Sequence, residues 1–131
     1  MRLLLDTHVA LWAISDSPHL SARARALVVA PDNQIHVSAA SLWEIAIKHA
    51  LHRTGPGAMT LSAEQASRYF ERAGFSLVSI TPAHARAVER LPDLHHDPFD
   101  RILVAQALEE PFRLVTHDAR VGAYSATVLM V

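Results

Sequence analysis

The sequence has no cysteine, no excess of basic residues and no long hydrophobic run. The lack of cysteine excludes a disulfide-stapled scaffold, a thiolate zinc site and a cysteine nucleophile. A formal net charge of −1 argues against a surface that coats nucleic acid broadly, and leaves room only for a local basic patch. No apolar stretch approaches the ~20 residues of a membrane-spanning helix. Asp6 interrupts the apolar start of the chain too early for a signal peptide, so we expect a soluble, cytoplasmic protein with no membrane association.

The chain has the size and composition of one folded domain. Its 131 residues are 50% hydrophobic and 19% charged, which excludes intrinsic disorder. A chain of this length buries roughly two-thirds of its unfolded surface when it folds as one unit. We therefore predict a single domain over residues 1–131.

Short apolar runs alternate with helical patterns along the whole chain. Strands are predicted at residues 2–5, 34–37, 76–80, 112–115 and 127–131. Helices are predicted at residues 8–14, 22–29, 39–51, 63–73, 82–91 and 98–109. The helix starts are marked by capping residues, by a capping box at residues 62–65 and by two prolines at first helical positions, and the clearest loop lies at residues 54–57. This alternation favours an α/β fold, with a parallel sheet of about five strands and helices on both faces.

Two of the predicted helices are apolar nearly all round. They cover residues 39–51 and 99–108, and we expect both to be largely buried. Trp12 and Trp43 could serve as stacking platforms for RNA bases. Because each lies within an apolar helix, core packing is the favoured interpretation.

Four acidic residues follow strands of the predicted sheet. Asp6 comes directly after the first strand, and Asp118 lies just past the fourth. Glu44 lies in the second turn of the helix after the second strand, and Asp100 lies in the first turn of the helix that Pro98 opens. Ligands of an open α/β sheet bind beyond the carboxyl ends of its strands. We therefore expect the four acids to meet at one edge.

Each acid also has an ordinary structural explanation. Asp6 and Asp118 stand where an acidic residue caps a helix, and Asp100 would complement a helix dipole. Glu44 lies too deep in its helix to cap it, so its alternative is an i, i+4 pair with Lys48, worth ~0.3–0.5 kcal/mol. A polar seam along that helix fits a solvated face or the wall of a polar cleft. The seam consists of Ser41, Glu44, Lys48 and His52.

Converging carboxylates point to a hard metal ion. Neighbouring carboxylates repel one another and raise each other's pKa, so their convergence is favourable only when a cation neutralises it. Oxygen ligands without cysteine select Mg²⁺ or Mn²⁺. Such an ion can activate a water that attacks phosphorus. The combination predicts hydrolysis of a phosphodiester bond.

Four sequence blocks resemble the PIN-domain VapC toxins. They are LLDTH at residues 4–8, VSAASLWEI at residues 37–45, HDPFDRILVAQA at residues 96–107 and LVTHD at residues 114–118. The blocks come in the family's order and span nearly the whole chain. The resemblance implies a single PIN domain and a metal-dependent endoribonuclease, the toxin of a toxin–antitoxin pair.

The resemblance also implies the residues of the site. The family's four acidic positions, which are catalytic and bind Mg²⁺ or Mn²⁺, correspond to Asp6, Glu44, Asp100 and Asp118. The small hydroxyl residue two positions before the last acid corresponds to Thr116. Asp97 is interpreted first as a helix cap and second as a contact of the metal or its water.

The family's partners are an RNA substrate, a second copy of the chain in a homodimer and a cognate VapB-like antitoxin bound across the active-site groove. Lys48, Arg101 and Arg120 are candidate RNA contacts. For Arg101 and Arg120, a salt bridge that orients the acids is an equal alternative. Four histidines flank the predicted site, and none is assigned a catalytic role. They are His8, His95, His96 and His117.

Two other function classes compete with the nuclease. A receiver-like phosphoacceptor domain would need adjacent acids after the first strand and a lysine after the last, whereas Asp6 is followed by Thr7 and the only lysine, Lys48, is mid-chain. A catalytically silent PIN-fold module that binds nucleic acid or protein would not need a complete acidic set. A metal titration discriminates between the nuclease and this silent module.

Overall fold

The computed structural model describes residues 1–51, 55 and 58–131. Most of the predicted loop at residues 54–57, and His52 of the polar seam, lie outside the described residues. Within the described part, no helix is long and apolar enough to cross a membrane.

Strands and helices alternate in the order that the sequence predicts. The strands are β1 (Arg2–Leu5), β2 (Gln34–Ser38), β3 (Ser76–Val78), β4 (Arg113–Thr116) and β5 (Leu129–Met130). The helices are α1 (Thr7–Ser15), α2 (Ala22–Val29), α3 (Ala39–Ala50), α4 (Ala63–Arg72), α5 (Pro82–Ala87), α6 (Pro98–Glu109) and α7 (Ala119–Gly122), and a 3₁₀ turn over Val88–Arg90 extends α5.

The five strands form one parallel sheet in the order β3-β2-β1-β4-β5. β1 lies at the centre, with Leu4 paired to His36 of β2 and to Leu114 of β4. Because side chains alternate across a strand, Leu3 and Leu5 face one side of the sheet and Leu4 faces the other. The α/β fold with helices on both faces is confirmed.

Two apolar cores lie on the two faces of the sheet. The Leu3 and Leu5 side packs against residues of α1, α2 and α4, including Val9, Ala24 and Phe70. The Leu4 side packs against α6 and α7, with Leu103 and Val121 at its centre. These cores fix the helices that carry the acidic residues.

Helix starts follow the predicted caps. Ser62 and Gln65 form a capping box at α4, and the Asp97 side chain accepts hydrogen bonds from two backbone N–H groups at the start of α6. Gly74 ends α4 with a φ of +84°, a left-handed conformation that glycine adopts without a steric penalty.

The edge strands and the last helix differ from the predictions. β5 covers only Leu129–Met130, rather than 127–131, because the Thr127 N–H donates to the Ser125 hydroxyl in a preceding turn. β3 likewise ends at Val78. α7 is not predicted by the sequence, since four residues are too few to show a helical period; it begins at Ala119, with Asp118 as its N-cap.

The prediction that helix 39–51 is largely buried is wrong for one of its faces. Trp43 is 60% exposed, and Ile47 and Leu51 are also exposed on the same side, at i, i+4 and i+8. The core-packing interpretation of Trp43 is therefore wrong as well, because most of its side chain is exposed even though the Phe99 ring of α6 lies against it. Trp12 is half-buried and packs against the core on the Leu3 side.

Candidate active site

Asp6 and Thr116 meet at the carboxyl ends of the two central strands. Asp6 directly follows β1, and its N–H donates to the Val115 carbonyl of β4 over 3.0 Å. The Thr116 hydroxyl donates to Asp6 Oδ2 over 2.6 Å, and the other carboxylate oxygen accepts from the Val9 N–H over 2.8 Å. Asp6 thus caps α1 while it stays fixed at the sheet edge.

Burial raises the pKa of Asp6, and the Thr116 hydrogen bond opposes that rise. A carboxyl group held in this place is costly to ionise without a cation. A cation bound at this position would offset that cost, so Asp6 is a candidate metal ligand as well as a helix cap.

Asp118 is linked to Asp6 through Thr116. The Thr116 hydroxyl accepts from the Asp118 N–H over 3.1 Å, so one side chain positions both acids. The Asp118 side chain caps α7. Its carboxylate also accepts two hydrogen bonds from the Arg120 guanidinium, over 2.9 Å from Nη2 to Oδ2 and over 3.2 Å from Nε to Oδ1. The Arg120 hydrogen bonds lower the pKa of Asp118.

Asp100 enters the site from the first turn of α6 with His95 beside it. His95 Nε2 lies 2.8 Å from Asp100 Oδ2 and 4.0 Å from Asp118 Oδ2. Burial is the main cause that raises the pKa of Asp100; the charges of Asp97 and Asp6 raise it further, and the His95 hydrogen bond opposes them. Asp6 and Asp100 are therefore close enough to repel each other.

Glu44 lies on α3, and its charge partner is Lys48. The side chain is buried, and Lys48 Nζ lies 2.6 Å from Glu44 Oε2. One turn earlier on the same helix, the buried Ser41 hydroxyl accepts from the Thr7 hydroxyl over 2.9 Å. Because Thr7 follows Asp6, this contact ties the Glu44 face of α3 to the acidic edge of the sheet.

These residues have the donor chemistry of a divalent cation site. One ligand atom from each of His95, Asp97 and Asp100 lies within 4.8 Å of the others, and among the described residues Asp100 is the one of the four predicted acids that belongs to this group. Asp6 and Asp100 both have raised pKa values, which a bound cation would reverse. Carboxylate donors with at most one imidazole suit Mg²⁺ or Mn²⁺, so the residues present fit such an ion.

A family model described as the PIN domain matches residues 3–126. The chain belongs to the PIN domain family. This PIN domain is 32% identical over 124 residues to Ribonuclease VapC22 of Mycobacterium tuberculosis, with 93% of this chain and 91% of the relative covered. The recognition made from the four sequence blocks is thereby confirmed.

Solved structures with low identity share the fold of this PIN domain. The VapBC2 structure from Rickettsia felis, bound to a DNA fragment from its promoter, matches with a TM-score of 0.69 and 16% identity, covering 100% of this chain and 98% of that chain. A toxin–antitoxin complex from Klebsiella pneumoniae matches with a TM-score of 0.63 and 20% identity, covering 98% and 96%.

The structure describes no salt bridge between Arg101 of this PIN domain and the four acids, and its contact with RNA stays a prediction. Its guanidinium donates to the carbonyls of Val88, Pro92 and His95 and to the Tyr124 hydroxyl. The Tyr124 hydroxyl also donates to the His95 carbonyl over 3.3 Å. Arg101 therefore fastens the segment before α6 and, with it, His95. Arg120 is exposed and takes the salt-bridge alternative with Asp118.

His95 is the contact that the sequence analysis did not assign. It is buried and bridges the space between Asp100 and Asp118, whereas neighbouring His96 is exposed and lies 3.5 Å from Asp93. The signal in the sequence is the His95-His96 pair before Asp97-Pro98, but the pair alone does not indicate which ring points inward.

Proposed function

We propose that this PIN domain is a metal-dependent endoribonuclease, the toxin of a toxin–antitoxin pair. The observation that carries the proposal is the linked set of carboxylates formed by Asp6 and Asp118, which follow the paired strands β1 and β4, and by Asp100 in the first turn of α6. Thr116 joins Asp6 to Asp118, and His95 lies between Asp118 and Asp100. The similarity to Ribonuclease VapC22 supports RNA as the substrate.

In this proposal Asp6, Glu44, Asp100 and Asp118 hold Mg²⁺ or Mn²⁺. When bound, the cation supplies charge neutralisation, polarises the phosphodiester and makes a water molecule a stronger nucleophile. Glu44, which is paired with Lys48 in the structure, would be the ligand that α3 supplies. The buried positions of Asp6 and Glu44 support this role, because a buried charge calls for a strong partner.

The remaining polar residues position the acids or meet the RNA. Thr116 fixes the Asp6 carboxylate and the Asp118 backbone with one hydroxyl. Asp97 caps α6 and so sets the turn that presents Asp100. Arg120 and Lys48 pair with Asp118 and Glu44 while their side chains reach solvent, and we assign both cations to RNA phosphates.

We infer that the protein forms a homodimer through α3. Trp43, Ile47 and Leu51 form an exposed apolar stripe, and the Phe99 ring lies 5.1 Å from Trp43 in an edge contact. A large exposed apolar patch on a small domain marks an interaction surface, and a two-fold dimer would cover it with the same stripe of a second copy.

We also infer a cognate antitoxin of the VapB type and a cytoplasmic site of action. The structural relatives include a VapBC2 structure and a toxin–antitoxin complex, which supports such a partner. The antitoxin would silence the nuclease by lying across the acidic edge.

The experiment is cleavage of a labelled single-stranded RNA by the purified protein. We expect cleavage in Mg²⁺, loss of cleavage in EDTA and recovery when Mg²⁺ is added back. Asp6→Asn abolishes cleavage with an unchanged circular dichroism spectrum, whereas the control Asp32→Asn, at an exposed acid outside the site, retains it. Undiminished cleavage in EDTA would contradict the metal mechanism. No cleavage in either metal would leave the silent binding module.

A further inference from the structure

An aromatic cluster surrounds Trp12 beside the acidic edge of the sheet. The ring centroids of His8, His19 and His117 lie 5.9, 5.5 and 5.7 Å from that of Trp12. The indole is half-buried because part of it packs against the core on the Leu3 side. The rest of the ring is therefore held rigidly where it meets the surface, as a stacking platform requires.

A cavity of about 420 Å³ opens between this cluster and the acids. It lies in the size range of pockets that hold small organic groups, roughly 300–1,000 Å³. Its lining combines aromatic rings with two of the carboxylates and one guanidinium. The residues are Asp6, His8, Trp12, His117, Asp118, Ala119 and Arg120.

We propose that this cavity holds one unpaired nucleobase of the RNA, stacked on Trp12, next to the phosphodiester that is cut. The proposal rests on the proposed function and names a subsite for its substrate. A nucleobase is uncharged, so Asp6 and Asp118 tolerate it where they would repel a phosphate without a cation. An unpaired base splayed out of its strand is the form of RNA that proteins recognise by aromatic stacking.

His117 offers the base a polar contact in addition to stacking. Its Nδ1 lies 2.9 Å from the Val131 backbone oxygen, which is an acceptor only, so Nδ1 donates in this contact. Nε2 is the other polar atom of the ring, and His117 lines the cavity. Each of the four RNA bases presents hydrogen-bonding groups at its edge that this atom can meet.

The experiment uses fluorescence, because the chain has two tryptophans and each can be made the sole reporter. In Trp43→Phe only Trp12 emits, and in Trp12→Phe only Trp43 emits. The probes are a ten-residue oligouridylate and an abasic ribose-phosphate oligomer of the same length, at low salt in EDTA so that no cleavage is needed. We expect oligouridylate to quench Trp12 and not Trp43, and the abasic oligomer to quench neither.

Binding of the same two probes by Trp12→Leu completes the test. We expect its affinity for oligouridylate to fall about tenfold or more, as for the loss of one stacked base, with its affinity for the abasic oligomer unchanged. Trp12→Phe keeps an aromatic ring and restores most of the affinity. Equal quenching by both probes, no quenching of Trp12, or an equal loss for both probes would overturn the subsite.

Failure of the subsite and failure of the nuclease proposal are distinguishable. If the wild-type protein cuts RNA in Mg²⁺ and the base does not quench Trp12, the subsite is refuted and the nuclease stands. If the base quenches Trp12 selectively and no metal supports cleavage, the base-binding cavity stands, whereas the nuclease proposal and the placement of the base beside a cut phosphodiester are both refuted.

Discussion

The ion pair between Glu44 and Lys48 can test whether Glu44 is a metal ligand. If it is, Mg²⁺ should change the stability cost of removing Lys48, whereas for an ordinary ion pair that cost should be the same with and without Mg²⁺. Lys48 Nζ lies 2.6 Å from Glu44 Oε2, and the Glu44 side chain is 5% exposed against 41% for Lys48. Lys48→Met keeps the aliphatic stem and removes the charge and the donor. In metal-free buffer this substitution leaves a buried carboxylate without its cation.

We expect Lys48→Met to lower the free energy of unfolding by about 1–2 kcal/mol in EDTA. This value lies between the ~0.2–1 kcal/mol of an exposed pair and the ~3–5 kcal/mol of a buried pair that loses one partner, because only Glu44 is buried. At about 4 °C per kcal/mol for a domain of this size, Tm falls by about 4–8 °C. In saturating Mg²⁺ the loss shrinks below about 0.5 kcal/mol, because the bound cation neutralises Glu44.

Thermal unfolding followed by far-ultraviolet circular dichroism measures both values. Arg68→Met is the matched control, because Arg68 and Glu64 form an i, i+4 pair of 2.7 Å on α4 with side chains 65% and 76% exposed. The control loses only about 0.3–0.5 kcal/mol in either buffer. An equal loss for Lys48→Met in EDTA and in Mg²⁺ would remove Glu44 from the metal ligands. If Lys48→Met lost as little stability as Arg68→Met, the burial of Glu44 would not strengthen its pair with Lys48.

Three further predictions follow from the contacts of the site and of α3. In EDTA, the Tm of the wild type should fall relative to that of Asp100→Asn as the pH rises above about 4. Burial raises the folded-state pKa of Asp100 above its ordinary value of 3.8, so the folded protein binds the carboxyl proton more tightly than the unfolded chain does. The stability that this proton contributes is lost as the pH rises and the carboxyl ionises. A constant Tm difference between the two proteins from pH 3 to 7 would contradict this. His95→Asn should weaken Mn²⁺ binding by about 10-fold to 100-fold. In the control His95→Gln, the amide Nε2 replaces the donor to Asp100, and the affinity stays within about threefold of the wild type. Equal affinities of His95→Asn and the wild type would show that the 2.8 Å contact does not position Asp100. Ile47→Glu should convert a dimer into a monomer in analytical ultracentrifugation, whereas Leu108→Glu, at an exposed leucine of α6, should not. A monomeric wild type would contradict the α3 interface.

The fold could be predicted because its elements begin and end at residues with local signals. Ser62 with Gln65 and Asp97 with Pro98 mark helix starts through hydrogen bonds that lie within a few residues. Which apolar surface is covered depends on distant parts of the chain. The exposed face of α3 was therefore not predicted. An apolar period indicates that a helix face is buried against another surface, but it does not indicate whether that surface belongs to the same chain.

The candidate site could be predicted as a set of acids but not as a set of contacts. Asp6 and Asp118 each follow a strand, and in a parallel sheet the residues that follow the strands lie at one edge, whereas the pairing of β1 with β4 is seen only in the structure. The inward ring of His95 depends on Arg101 and Tyr124, which hold its carbonyl from six and 29 residues away. No sequence spacing encodes such a contact. The same is true of Trp12, whose neighbours His8 and His117 come from α1 and from the end of β4.

The central claim is that the acids at the end of the sheet form one divalent cation site. The most direct measurement is Mn²⁺ binding by the apoprotein, followed by electron paramagnetic resonance of the free ion, with wild type and Asp6→Asn side by side. We predict that the wild type binds Mn²⁺, that Mg²⁺ displaces it, and that Asp6→Asn weakens the affinity at least about tenfold while the protein stays folded. No binding by the wild type, or the same affinity in Asp6→Asn, would contradict the claim.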